Sequence, residues 1–98
     1  MKKHPPSFRH RLITNRLWKY RKRMGFTQKQ AAEILGYVSP THLSHWERGW
    51  KLPSLMTALK LAVVYRVPVD FLFHDHYTQF KEDLRAKEEQ LKSEWNRA

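Results

Sequence analysis

The stretch GFTQKQAAEILGYVSPTHLSHWERG, residues 25–49, decides how this chain folds. It opens with Thr27-Gln28-Lys29-Gln30, a capping-box sequence. The Thr hydroxyl accepts an otherwise orphaned backbone N–H, and the Gln three residues later bonds back. A short helix is therefore predicted from Gln28 to about Leu35, with Ala31, Ala32 and Leu35 inward and Gly36 as its stop. Ser39-Pro40 is a second start signal. Ser caps, and Pro at the first helical position gives up only an N–H that has no partner in a helix's first turn. The second helix is predicted to run from this cap to about Arg48, closed by Gly49, with Leu43 and Trp46 as its inner stripe. Thr41, His42, Ser44 and His45 are left outside.

Upstream, Ile13, Leu17, Tyr20 and Met24 recur at steps of three and four, which lines them on one face of a helix from about Thr14 to Gly25. Arg16, Lys19, Lys22 and Arg23 take its outer face, and Trp18 is expected to be a partly buried flank. Downstream, Pro53-Ser54 opens a helix to about Tyr65, with Leu55, Leu59 and Ala62 at helical spacing and Met56 and Val63 beside them. Arg66-Val67-Pro68 breaks the chain, and Val69 to Phe73 forms a short apolar helix with Asp70 in its first turn. His74-Asp75-His76 reads as a polar linker, because three adjacent residues rarely converge on one metal ion.

Residues 77–98 contain no Gly or Pro and mix charges of both signs, which predicts one long surface helix. Its sparse stripe of Tyr77, Phe80, Leu84, Leu91 and Trp95 has two readings: packing on its own domain, or a homodimer seam interrupted by Lys87. With no strand pattern anywhere, the expected class is all-α: a five-helix domain with a C-terminal extension helix. The expected division is a basic flexible arm at 1–11, a core domain at 12–73 and a charged helix at 74–98.

The chain's 98 residues suffice for one modest core. There is no cysteine, which excludes disulfides, Cys-based zinc fingers and thiol catalysis. No apolar run is long enough to span a bilayer and no apolar segment follows Lys2-Lys3, so a soluble cytoplasmic protein is expected. The formal charge of +10 is one-sided: residues 1–52 hold 12 Lys+Arg and 2 Asp+Glu, whereas residues 53–98 hold 7 of each. Such a field attracts a polyanion. A basic surface kept for solubility is the plainer alternative.

Two short helices joined by a tight turn, the second capped and carrying small polar side chains, fit a helix-turn-helix. Its requirements are a small residue where the helices cross, supplied by Ala32, and an apolar inner stripe, supplied by Leu43 and Trp46. Thr41, His42 and His45 can hydrogen-bond base edges in a major groove, although they also suit plain solvent exposure. Gln28 sits at a helix N-terminus, where phosphates are received well.

The series Arg21, Gly25-Phe26-Thr27-Gln28, Ala32-Glu33, Leu35-Gly36, Leu43-Ser44, Trp46-Glu47-Arg48-Gly49, Pro53-Ser54, Leu59, Ala62 and Val67 resembles the phage-repressor helix-turn-helix family, Cro/CI-type or XRE-type. The likeness covers about residues 13–73. It implies a five-helix DNA-binding domain that acts as a homodimer on a roughly palindromic operator. By the same resemblance, Gln28 contacts phosphate and braces the start of the reading helix. Pro40, Thr41, His42 and His45 take base-facing positions, Ser44 lies beside them, and Trp50 and Lys51 fall in a phosphate-facing loop. Arg21 and Glu47 match an internal ion pair. The chain departs from the pattern at Pro40, which cannot read a base, at Ala31 and Trp46, which exchange bulk, and in a turn one residue longer than usual.

The function so implied is sequence-specific binding of double-stranded DNA by a transcriptional regulator, a repressor, with no cofactor and no metal. The rival reading is a protein-interaction module on the same fold, such as an antitoxin, whose C-terminal helix covers a protein partner. A membrane-surface role lacks a large apolar face opposite the charge. An enzyme lacks a nucleophile–base pair, a carboxylate pair or a phosphate loop.

Overall fold

The computed structural model describes residues 15–97. Among them the chain forms six helices: α1 (Leu17–Met24), α2 (Gln28–Leu35), α3 (Thr41–Glu47), α4 (Leu55–Tyr65), α5 (Val69–Leu72) and α6 (His74–Trp95). The fold is all-α, five short helices followed by a long one. Ile13, Thr14 and the basic arm at 1–11 lie outside the described residues.

Local chemistry sets most of the boundaries. Asn15 begins α1: its side-chain oxygen accepts the Leu17 N–H at 3.0 Å. At the other end Gly25 adopts φ 80°, and its N–H returns to the Arg21 and Lys22 carbonyls. The capping box forms as expected, with Gln30 N–H donating to the Thr27 hydroxyl at 3.0 Å and Thr27 N–H to the Gln30 side chain at 2.9 Å. Ser54 caps α4 through the Thr57 N–H at 3.2 Å.

α3 is shorter than expected. Its helical residues are Thr41–Glu47, and Pro40 stands just before them at φ −82°, ψ 7°. Ser39 still caps, since its hydroxyl accepts the Thr41 N–H at 3.2 Å. Proline thus acts as a flanking brace rather than as the first helical residue.

Helices α1 to α5 close around one core that includes Leu17, Tyr20, Ala31, Ala32, Leu43 and Trp46 from the first three helices. Leu61, Ala62, Tyr65 and Leu72 complete it from α4 and α5. Ala31 and Ala32 are fully buried, as a close helix crossing requires. α1 is tied to α5 by the Arg16 N–H, which donates to the Leu72 carbonyl at 2.8 Å.

Four expectations are corrected, the last in part. α4 does not bury Leu55, Met56, Leu59 and Val63; it buries Ala58, Leu61, Ala62 and Tyr65, leaving Leu55 71% and Val63 76% exposed. An almost wholly apolar helix has no polar face to choose its orientation, so its neighbours choose, and two alanines allow their close approach. Trp18 is also exposed, with the Lys22 ammonium over its ring at 5.9 Å. His74-Asp75-His76 is not a linker but the first turn of α6, joined back to the domain by Arg16 and Asp75 at 3.5 Å. Beyond Phe80 α6 leaves the domain. None of its residues is fully buried, and the described residues extend 57 Å along their longest axis against 20 Å along the shortest. Packing of its stripe onto its own domain therefore holds at Phe80, which lines a groove with Leu52, Leu55, Val69 and Phe73, and not at Leu84 or Trp95.

Candidate nucleic-acid interface

The surface of interest is built on α3, and its rigidity comes from beneath. Leu43 and Trp46 anchor the helix in the core. Burial of a leucine-sized side chain stabilises by about 1.5–3 kcal/mol, so both anchors resist rotation of the helix. At its C-terminal end, Glu47 accepts from Arg21 Nε at 2.6 Å and from Nη2 at 3.0 Å, a two-pronged pair with side chains only 7% and 6% exposed. Arg21 Nη1 also donates to the Phe26 carbonyl at 2.8 Å. The Glu47 hydrogen bond leads the forces that raise the Arg21 pKa above its ordinary value, against the cost of burial. The charge on Arg21 is thus permanent. The sequence-derived ion pair is present, with more partners than spacing could reveal.

Gln28 joins this cluster. Its amide nitrogen donates to Glu47 Oε1 at 3.0 Å. It therefore braces the end of α3, not its start: the capping turn of α2 lies beside the last turn of α3. Asn15, which sequence reasoning missed, supplies a second brace by donating to the Trp46 carbonyl at 2.7 Å. One side chain thus begins α1 and terminates α3. The helix expected from about Thr14 placed Asn15 inside it, so neither of its two bonds was read from the sequence. Tyr65 lies in the same neighbourhood. Burial first, and then the Glu47 carboxylate, push its hydroxyl well above the usual phenol range, so it stays neutral.

The outer face of α3 carries the candidate contacts. Thr41 and His42 are exposed, while Ser44 and His45 are half-buried. Thr41 is engaged in the cap, its Oγ1 accepting from the Ser39 hydroxyl at 2.9 Å. His42 is not free-standing. Its ring lies 5.0 Å from Tyr37 and is stacked 5.9 Å from Trp46, so one face rests on aromatic carbon and one edge meets solvent. Pro40 is half-buried in the turn.

Past α3, Gly49 turns the chain at φ 76° and Trp50 N–H returns to the His45 carbonyl at 3.0 Å. The Trp50 indole is 43% exposed and sits 5.6 Å from the His45 ring, with the Arg48 guanidinium 4.9 Å above it. Lys51 is exposed next to it. His45, Arg48, Trp50 and Lys51 therefore form a basic, aromatic corner at the end of α3. Arg48 was not among the sequence-derived candidates, because it reads as a helix-ending residue; its placement over Trp50 brings it in.

A helix-turn-helix family model matches residues 19–72, more than half of the chain. The chain belongs to the helix-turn-helix family. The match takes in α2, α3 and the helices that brace them. A relative, the HTH-type transcriptional regulator ImmR of Bacillus subtilis (strain 168), is 42% identical over 60 residues, which cover 61% of this chain and 46% of that protein. The chain thus spans about half the length of that curated relative. No solved structure matches. Within this helix-turn-helix chain, no described helix is long and apolar enough to cross a membrane.

Proposed function

We propose that this helix-turn-helix chain is a sequence-specific double-stranded-DNA-binding transcriptional regulator. One observation carries the reading: α3 is fixed from below by Leu43, Trp46 and the Arg21–Glu47–Gln28 cluster, while Thr41 and His42 stay exposed on the other side and Lys51 follows in the next loop. A rigid rod with one polar face is what reading a major groove requires. Family membership and the relative's description support the same reading.

In this reading Thr41, His42 and His45 meet base edges. Pro40 offers only an apolar contact, and Ser44 lies toward the backbone. Gln28, Trp50 and Lys51 position the domain on phosphate and sugar. Gln28 keeps one amide hydrogen for phosphate while the other holds Glu47. The chain acts in the cytoplasm as a homodimeric repressor, by occupancy rather than catalysis, with 12–73 as the DNA-binding unit, 1–11 as an arm and 74–98 as an extension.

The test is selection from random double-stranded DNA at near-physiological salt, followed by footprinting. An enriched inverted repeat, protected in the major groove, is expected. Recovery of no motif, with affinity equal for all duplexes, overturns the reading.

A further inference from the structure

α6 runs 22 residues, about 33 Å at 1.5 Å per residue, and leaves most of its apolar stripe uncovered; Leu91 is half-buried and Phe80 borders a groove on its own domain. Tyr77, Phe80, Leu84 and Trp95 are each more than half exposed. At 100° per residue, Tyr77, Phe80, Leu84, Leu91 and Trp95 fall within about 60° of one another, so the stripe is straight and faces one way. Charges flank it unequally. Lys81 and Glu88 lie along one edge, and Asp83 and Lys87 along the other.

We propose that α6 is a self-association element, which pairs antiparallel with the α6 of a second copy about a two-fold axis near residue 85. The pattern selects both orientation and register. In an antiparallel pair each edge meets its own counterpart, and residues whose numbers sum to about 170 stand level. Phe80 then faces Leu91, Tyr77 faces Trp95, and the two Leu84 side chains meet near the axis. On one edge Lys81 stands level with Glu88, and on the other Asp83 with Lys87; each pair occurs twice. Lys87, which breaks the apolar repeat, lays its stem beside the seam and its ammonium next to a carboxylate. A parallel pair sets unlike edges together and brings Asp83 against Glu88, a repulsion that also occurs twice. The start of α6, and with it each domain, is then held about 33 Å from its counterpart. The inference rests on the homodimeric reading above and adds its geometry.

The chain contains no cysteine, which makes cross-linking a clean test on the full-length protein. Phe80→Cys and Leu91→Cys variants are oxidised separately and mixed. The mixture is expected to give a disulfide-linked dimer and each variant alone is not, because like positions lie about 15 Å or more apart along the axis. A disulfide within either single variant, or none in the mixture, overturns the arrangement. Because Glu88 is already 2.8 Å from Lys92 of its own helix, the other edge carries the charge test: Lys87→Glu is expected to weaken self-association about tenfold, and Lys87→Glu with Asp83→Lys to restore it. Absence of restoration, with helix content by circular dichroism unchanged, also overturns it. Wild-type binding to the selected duplex is measured in parallel. Duplex binding without the mixed cross-link refutes the seam and leaves the DNA reading standing, whereas a cross-link without duplex binding refutes the DNA reading alone.

Discussion

Glu47→Ala removes the acceptor at the centre of the site. Three donor hydrogens converge on that carboxylate, two from Arg21 and one from Gln28, at 2.6–3.0 Å. The substitution leaves a buried guanidinium with the Phe26 carbonyl as its remaining described partner. Breaking a buried pair from one side costs about 3–5 kcal/mol, because the surviving charge keeps its desolvation penalty. Domains of this size have roughly 5–15 kcal/mol in total, so the variant loses about a fifth of its stability or more. At about 4 °C or more per kcal/mol the melting temperature falls by at least about 12 °C. Thermal and urea unfolding followed by circular dichroism measures this. A variant that melts within about 3 °C of the parent refutes the account. Arg21→Met with Glu47→Leu provides the contrast: with both charges gone it should melt well above Glu47→Ala, since the penalty belongs to the unpaired charge. Any defect of Glu47→Ala in DNA binding should track its unfolded fraction and leave sequence preference unchanged.

Other outcomes follow from the same geometry. Thr27→Ala removes one half of the capping box and should cost about 1 kcal/mol in urea unfolding; no change in midpoint would place the start of α2 under tertiary control alone. Lys51→Ala should weaken binding to all duplexes alike and reduce the slope of log affinity against log salt by about one, whereas His42→Ala should change which duplex is preferred; identical profiles for the two would reject the division of roles. Burial holds the His76 imidazole below the ordinary histidine range, only partly offset by Asp75. Its protonation is thus harder in the folded than in the unfolded chain, so stability is full above about pH 6.5 and declines as pH falls below it. A drop in urea midpoint between about pH 7.5 and about pH 5.5 should be smaller in His76→Leu, and an equal drop in both contradicts the assignment. Asn15→Ala should destabilise α1 and loosen the end of α3 together, seen as faster amide exchange in both; exchange altered in α1 alone rejects its second role.

The start of α2, the glycine stops after α1 and α2, and the inner stripe of α3 were legible because each depends on residues within four positions of one another. Thr27 and Gln30 close their own loop, and Leu43 and Trp46 share a face by helical pitch alone. The Arg21–Glu47 pair was legible by resemblance, not by spacing. Gln28 and Asn15 show the boundary. Gln28's place at a helix start could be read from sequence and Asn15's was not, and their bonds to Glu47 and to the Trp46 carbonyl join residues 19 and 31 positions apart.

Sequence by itself thus determined that this chain is helical, where the turns around α2 and α3 fall and which helix presents polar side chains outward, because hydrogen-bond capping and amphipathic periodicity are short-range. Tertiary structure decided which side of α4 is buried, that α6 leaves the domain past Phe80 with most of its stripe uncovered, and that α3 is held from its C-terminal end. An apolar helix presents several faces of nearly equal hydrophobicity, and only the shape of its neighbours, here the close approach allowed by Ala58 and Ala62, selects one of them.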